Sequence, residues 1–222
     1  MIPALIRRDY GYGSGVISPN LTLFIVNIPK NASSFVSSWT NKFGWHAALA
    51  ENHEHRIAEM IVILRDPLDR WISGISQYLN GYILHARGAY DISCSSDSQD
   101  QYMDATTFIN QYNSVIERLI FDNLDRHDDH VWPQNEIIEG LLPTKSRRYY
   151  YLDDTLEEKL SQYLGIPTVA GIDRNPGENN KDQRILQMFF RDKINQQPKL
   201  KQRIIDRYQK DYELIEQVLP CR

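Results

Sequence analysis

Residues 21–28, LTLFIVNI, are an almost unbroken run of Leu, Phe, Ile and Val broken only by Thr22 and Asn27. Without polar alternation, such a run predicts a strand buried on both faces of a parallel sheet. Pro29 cannot continue a central strand. After the short polar stretch Lys30, Asn31, Ala32, Ser33 and Ser34, apolar residues return at helical spacing: Phe35, Val36, Trp39 and Phe43. The order is strand, tight turn, helix. A second unit repeats it. Residues 60–64, MIVIL, predict another buried parallel strand, and Asp66-Pro67 reads as a helix start, with Asp66 at the N-cap and Pro67 in the first helical position. Leu68, Trp71, Ile72, Ile75 and Leu79 mark one apolar face of that helix.

Beyond these two units the periodicity predicts a helix over residues 104–124, with Phe108, Tyr112, Val115, Ile116 and Leu119 on one side. A short strand over 149–152 follows Lys145-Ser146-Arg147-Arg148, charges that suit the flank of an edge strand. Asp153 and Asp154 cap a helix whose Leu156, Leu160 and Leu164 face inward and which Gly165 stops. Two last helices, 183–194 and 199–219, are separated by Pro198. Residues 81–101 are rich in Gly, Ser and Asp with no period and read as a long loop. Residues 1–20 read as an irregular lead-in. Gly11, Gly13 and Gly15 there follow no strand and open no helix, which removes the dinucleotide fingerprint. The whole is a single α/β domain, residues 1–222, with a P-loop-like central parallel sheet flanked by helices.

Composition narrows the function classes. With 222 residues, 41% of them hydrophobic and 24% charged, the chain can bury one substantial core. Lys and Arg number 25 against 29 Asp and Glu, and a formal charge of −4 argues against a nucleic-acid partner while leaving room for a small anionic ligand. Cys94 and Cys221 form neither a disulfide framework nor a zinc-ligand pattern, so a reducing, cytoplasmic setting is the simpler expectation. No signal pattern opens the chain and no apolar run approaches about twenty residues, so no membrane segment is expected. His53 and His55 alternate with carboxylates but lack further ligands at metal spacing and read as solvated surface.

The chemistry concentrates at the two turns. A strand, a tight turn and a helix aim backbone N–H groups and the positive end of a helix dipole at one small volume, a ready anion site. Lys30 adds a full charge, and Ser33 and Ser34 are N-cap residues whose hydroxyls also donate to phosphate or sulfate oxygens. Arg65 stands where the second strand becomes a helix, at the carboxyl edge of the sheet where open α/β folds bind ligands. Ser73, off the apolar stripe on the side of Arg70 and Gln77, is placed to share one phosphate with Arg65.

Ile28-Pro29-Lys30-Asn31-Ala32-Ser33-Ser34 resembles the 5′-phosphosulfate loop of sulfotransferases that use 3′-phosphoadenosine 5′-phosphosulfate (PAPS). Leu64-Arg65-Asp66-Pro67-Leu68-Asp69-Arg70-Trp71-Ile72-Ser73-Gly74 is similar to their 3′-phosphate motif, and the likeness is to the carbohydrate-type, Golgi branch. The first motif departs from the family in having Asn31-Ala32-Ser33-Ser34 in place of a commoner Gly/Thr-rich version. The resemblance implies a nucleotide-binding core over residues 21–79 and packing helices over 183–222. It implies that Lys30 stabilises the leaving side, that Pro29, Asn31, Ala32, Ser33 and Ser34 form the loop around the 5′-phosphate, and that Arg65 and Ser73 grip the 3′-phosphate, with no metal required. A family loop that closes over the nucleotide corresponds to residues 173–182, which makes Asn180 and Lys181 candidate ligands. The acceptor, a glycan or small-molecule hydroxyl, needs a general base. His46, after the first helix, and His130, in Asp128-Asp129-His130-Val131-Trp132-Pro133-Gln134, are rival candidates. A nucleotide-dependent phosphotransferase is the alternative, although the loop lacks the Gly-Lys-Ser/Thr ending of a P-loop. A non-catalytic nucleotide-binding module of the same fold is another.

Overall fold

The computed structural model describes residues 13–86, 104–122, 129–142, 145–170 and 180–219. The five strands are β1 (Ser14–Ile17), β2 (Leu23–Val26), β3 (His46–Leu49), β4 (Glu59–Leu64) and β5 (Ser146–Tyr151). They form one sheet in the order β3-β1-β2-β4-β5. β2, β4 and β5 pair in parallel, whereas β1 is antiparallel to both of its neighbours. The sheet is therefore mixed rather than wholly parallel, and it begins one strand earlier than the hydrophobic run at residue 21.

β1 lies inside the stretch read as an irregular lead-in. It is only four residues long and half of it is only partly buried, so its hydrophobic signal is weak. Gly15 carries its own reason: a Cβ there would sit 2.2 Å from the Ile25 carbonyl oxygen and 2.6 Å from the Phe24 ring. The residue admits a close neighbour strand. β3 is likewise short, with its first two residues exposed.

Of the helices, α1 (Ser33–Asn41) and α5 (Leu156–Leu164) cover one sheet face, where Phe35, Val36, Trp39, Leu156 and Leu160 pack against Ile25, Ile61 and Ile63. α4 (Gln134–Glu139) and α8 (Gln209–Val218) cover the other, where Ile137, Ile138 and Ile215 meet Phe24, Met60, Val62 and Leu64. Met60 to Leu64 of β4 thus divide alternately between two cores and all five are buried, as the unbroken apolar run required. A third cluster contains no strand residue. It joins α2 (Pro67–Ala86), α3 (Ala105–Asp122), α6 (Lys181–Gln196) and α7 (Pro198–Arg207) around Trp71, Ile75, Leu79, Phe108, Leu186, Phe190 and Ile204.

Some boundaries move. α2 runs on to Ala86, so the region read as a loop from residue 81 begins as helix, and residues 87–101 lie outside the described residues. The predicted last helix is two, α7 and α8, broken at Tyr208 (φ −105°, ψ 18°). Gly165 ends α5 in the left-handed conformation, as read. β5 is an edge strand, and Arg148 lies 4.3 Å over the Tyr163 ring while pairing with Glu59 at 3.3 Å.

Candidate functional site at the carboxyl edge of the sheet

The site grows from the tips of β2 and β4, which are parallel neighbours and so deliver their following loops to the same edge. After β2 the chain turns through Pro29 and Lys30. Lys30 (φ 70°) and Ala32 (φ 61°) both adopt the left-handed conformation that side chains disfavour. Two such residues in one short loop store strain of the kind found at ligand-holding turns. Ala32, not a serine, occupies the N-cap of α1. Ser33 and Ser34 are its first helical residues, which corrects their reading as caps. No side chain caps α1, and no acidic residue sits in its first turn. The dipole end at this turn is left to another anion.

Asn31 locks the loop to the sheet. Its side-chain Nδ2 donates to the Ile63 carbonyl at 2.7 Å and to Gln134 Oε1 at 2.5 Å. Gln134 then acts as an extra rung beyond β4: its Oε1 accepts from the Arg65 backbone N–H (3.0 Å), and its Nε2 donates to the Arg65 carbonyl (2.9 Å). Asp211 on α8 completes the brace by accepting from the backbone N–H groups of Gln134 and Asn135, each at 2.8 Å. Burial pushes the Asp211 carboxyl above the usual aspartate range, against the pull of those N–H donors and of the Arg70 charge. Asn31 Oδ1 and Asn27 Oδ1 are buried without a hydrogen-bond partner. Both residues line a small, open cleft together with Ser33, Ser37 and Gly15.

At the second tip, Asp66 Oδ1 accepts from the Asp69 backbone N–H at 2.9 Å and Pro67 begins α2, both as read from the sequence. Arg65 reaches across to the first loop: its Nη1 donates to the Lys30 carbonyl at 2.9 Å. The two cationic residues therefore share one edge of the molecule. Arg70, 1% exposed, stitches the site from below, its Nε donating to the Pro29 carbonyl at 3.0 Å and its Nη1 to the Trp132 carbonyl. Ser73 is buried on the same helix, one turn beyond Arg70.

Of the two histidines the structure separates one from the site and seats the other in it. Register places His46 opposite Ile17, and Ile17 opposite Phe24, so His46 is level with the beginning of β2. It is exposed on the outer strand, at the edge of the sheet away from Lys30. The chain does return to the sheet after α1, but it enters from the far end. His130 lies in a 3-10 turn (Asp129–Val131) clamped on several sides. The Tyr208 hydroxyl donates to the Val131 carbonyl, Arg70 holds Trp132, and Gly74 lets α2 come so close that a Cβ there would lie 2.3 Å from the His130 carbonyl oxygen. Lys30 Nζ donates to Gln77 Oε1 at 2.5 Å, and Gln77 Nε2 stands 3.2 Å from His130 Nε2. Lys30 and His130 are thus one amide apart.

Asn180 and Lys181 are not gathered here. Asn180 caps α6, its side chain accepting from the Gln183 backbone N–H at 3.1 Å, and Lys181 is exposed. Arg191, ten residues along α6 and so roughly 15 Å away at the helical rise, pairs with Asp69 near the start of α2. Residues 173–179 lie outside the described residues.

Sequence reasoning passed over Gln77, Gln134 and Asp211 as site components. The spacing of Arg70, Ser73 and Gln77 on one helical face was a usable signal; the pairing of Gln134 with Arg65, 69 residues apart, left none. Among the described residues no group of three or more His, Cys, Asp or Glu side chains could hold a metal, and no helix is long and apolar enough to cross a membrane.

The fold and this edge define an α/β domain with a braced, cation-bearing loop at adjoining parallel strand tips. Searches of family models, curated proteins and solved structures returned no match to the chain.

Proposed function

We propose that the protein is a sulfotransferase, moving a sulfuryl group from PAPS to an acceptor hydroxyl, and that this hydroxyl belongs to a carbohydrate or glycan. The observation that carries the reading is the 2.9 Å hydrogen bond from the Arg65 guanidinium to the Lys30 main-chain carbonyl, because it brings the second cation onto the loop that bears the first, at neighbouring strand tips. The donor set suits a ligand with two anionic ends: an ammonium, a guanidinium, the Ser33 and Ser34 hydroxyls, and a helix start with no side-chain cap. When bound, the nucleotide supplies the sulfuryl group and a phosphate able to leave. Lys30 and the loop at Asn31, Ala32, Ser33 and Ser34 meet charge at the 5′ end, a P-loop-like task performed without the P-loop sequence. Arg65 and Ser73 hold the 3′-phosphate. His130 takes the acceptor proton at Nε2. The Arg70 staple and the Gln134 rung keep loop and histidine in fixed relation, so the reacting groups meet without a further search.

Calorimetric titration with adenosine 3′,5′-bisphosphate tests the donor half. Binding by the wild type and its weakening in Lys30→Ala is the expected result; a wild type that takes up no bisphosphate overturns the assignment. Transfer from radiolabelled donor across a panel of sugar acceptors tests the rest and should survive a chelator. Magnesium-dependent turnover of ATP would instead indicate a phosphotransferase.

A further inference from the structure

Lys30 Nζ and His130 Nε2 do not touch each other; the Gln77 side chain stands between them, 2.5 Å from the first and 3.2 Å from the second. An ammonium donates only, so the amide oxygen of Gln77 must face Lys30. Its NH2 group is thereby turned toward His130, and an N–H facing a ring nitrogen requires a lone pair there. We infer that Gln77 is a positioning residue that fixes His130 as the neutral tautomer carrying its proton on Nδ1, so that Nε2 presents its lone pair to the Lys30 side of the site. The inference deepens the transferase reading and rests on it only for its catalytic meaning.

Several features make the amide rigid enough for this task. Gln77 lies in the third turn of α2, three residues after Gly74, whose lack of a Cβ lets the helix press on the His130 backbone. The same turn is held by Tyr208 and Arg70, so the imidazole cannot drift from the amide while the backbone stays folded. At 3.2 Å the N–H···N contact is at the long end of the hydrogen-bond range. An acceptor hydroxyl can replace it and meets a lone pair already aimed. A free histidine prefers no such arrangement, and an imidazolium would place an N–H against the Gln77 N–H. Gln77 thus excludes the two states of His130 that could not act as a base through Nε2.

The tautomer is read directly by nuclear magnetic resonance on protein labelled with ¹⁵N-histidine, without nucleotide or acceptor. The His130 signals are identified by their absence from His130→Asn. In the wild type near neutral pH, Nε2 should give the unprotonated, pyridine-like shift and Nδ1 the protonated one. In the near-isosteric Gln77→Met, which offers no N–H, the preference should be lost. In Gln77→Glu, whose carboxylate only accepts, Nε2 should become protonated. A wild-type Nε2 that bears the proton, or a tautomer unchanged in both variants, overturns the inference. Bisphosphate titration of the same samples keeps the two ideas apart. A wild type that fails to bind it removes the transferase and leaves the tautomer result standing, whereas a wrong tautomer with intact binding removes only the role of Gln77.

Discussion

Where β4 passes into α2, every local element is relaxed: Asp66 caps the first turn, Pro67 fills a position that needs no N–H, and Gln134 satisfies both backbone groups of Arg65. Where β2 passes into α1, the chain has two left-handed non-glycine residues, no side-chain cap and a buried amide oxygen without a partner. The two junctions are adjacent and of the same strand-turn-helix type. One is built like a scaffold. The other is held in a conformation it would not choose, and its surroundings do the holding: Arg65 donates to the Lys30 carbonyl, and Gln134 on α4 accepts from the Asn31 side chain. Such a division is what a preorganised anion site requires, since strain persists only where the surroundings over-determine it.

The largest effects should come from separating charge from bracing. Lys30→Ala removes a cation and leaves the loop's backbone contacts, so bisphosphate affinity should fall by about 10- to 100-fold, the worth of one or two charge-assisted hydrogen bonds, with little change in melting temperature. Arg65→Ala removes a cation and a brace, so it should lose comparable affinity and also melt earlier. Equal thermal behaviour of the two variants would mean that Arg65 does not support the strained loop. Next in size is Gly74→Ala. The new methyl cannot fit against the His130 carbonyl without moving backbone, and it should cost about 1–3 kcal/mol in chemical denaturation. Transfer should fall further than bisphosphate binding, because the displaced element carries the base and not the donor loop.

How much of this was legible beforehand depended on how locally each feature is encoded. β4, α2 and its cap were readable because an unbroken apolar run, Asp66 and Pro67 are all chain-local signals. Gly165 was readable for the same reason. β1 and β3 were not, since neither is buried along its length and β1 runs antiparallel to both of its neighbours, a direction no periodicity records. The nearness of Lys30 and Arg65 followed from parallel neighbours sharing an edge. His46 was attractive only by sequence distance, and the entry of β3 from the opposite edge is a matter of topology. The Gln134 rung and the Asp211 brace join residues 69 and 77 positions apart and exist only once the fold does.

The relaxed junction offers its own test. Asp66→Ala should cost about 1 kcal/mol of stability, as lost caps do, while leaving bisphosphate affinity unchanged. A loss of affinity as large as that of Arg65→Ala would erase the distinction between scaffold and site, because the cap would then be positioning the ligand.

The finest test acts on the strained junction itself. Ala32 stands at φ 61°, where an alanine costs about 1–2 kcal/mol and a glycine almost nothing. Ala32→Gly relieves that cost but gives the unfolded chain more freedom to lose, which returns about 0.5–1 kcal/mol. The difference should appear as a gain of roughly 0.5 kcal/mol, or about 1–2 °C in melting temperature for a chain of this size. Affinity for the bisphosphate should not rise with it, because the alanine loop is already held in place by Asn31 and by Arg65. A melting temperature lowered by several degrees would show that Ala32 is not strained, and the backbone strain in the contrast between the two junctions would then rest on Lys30 alone.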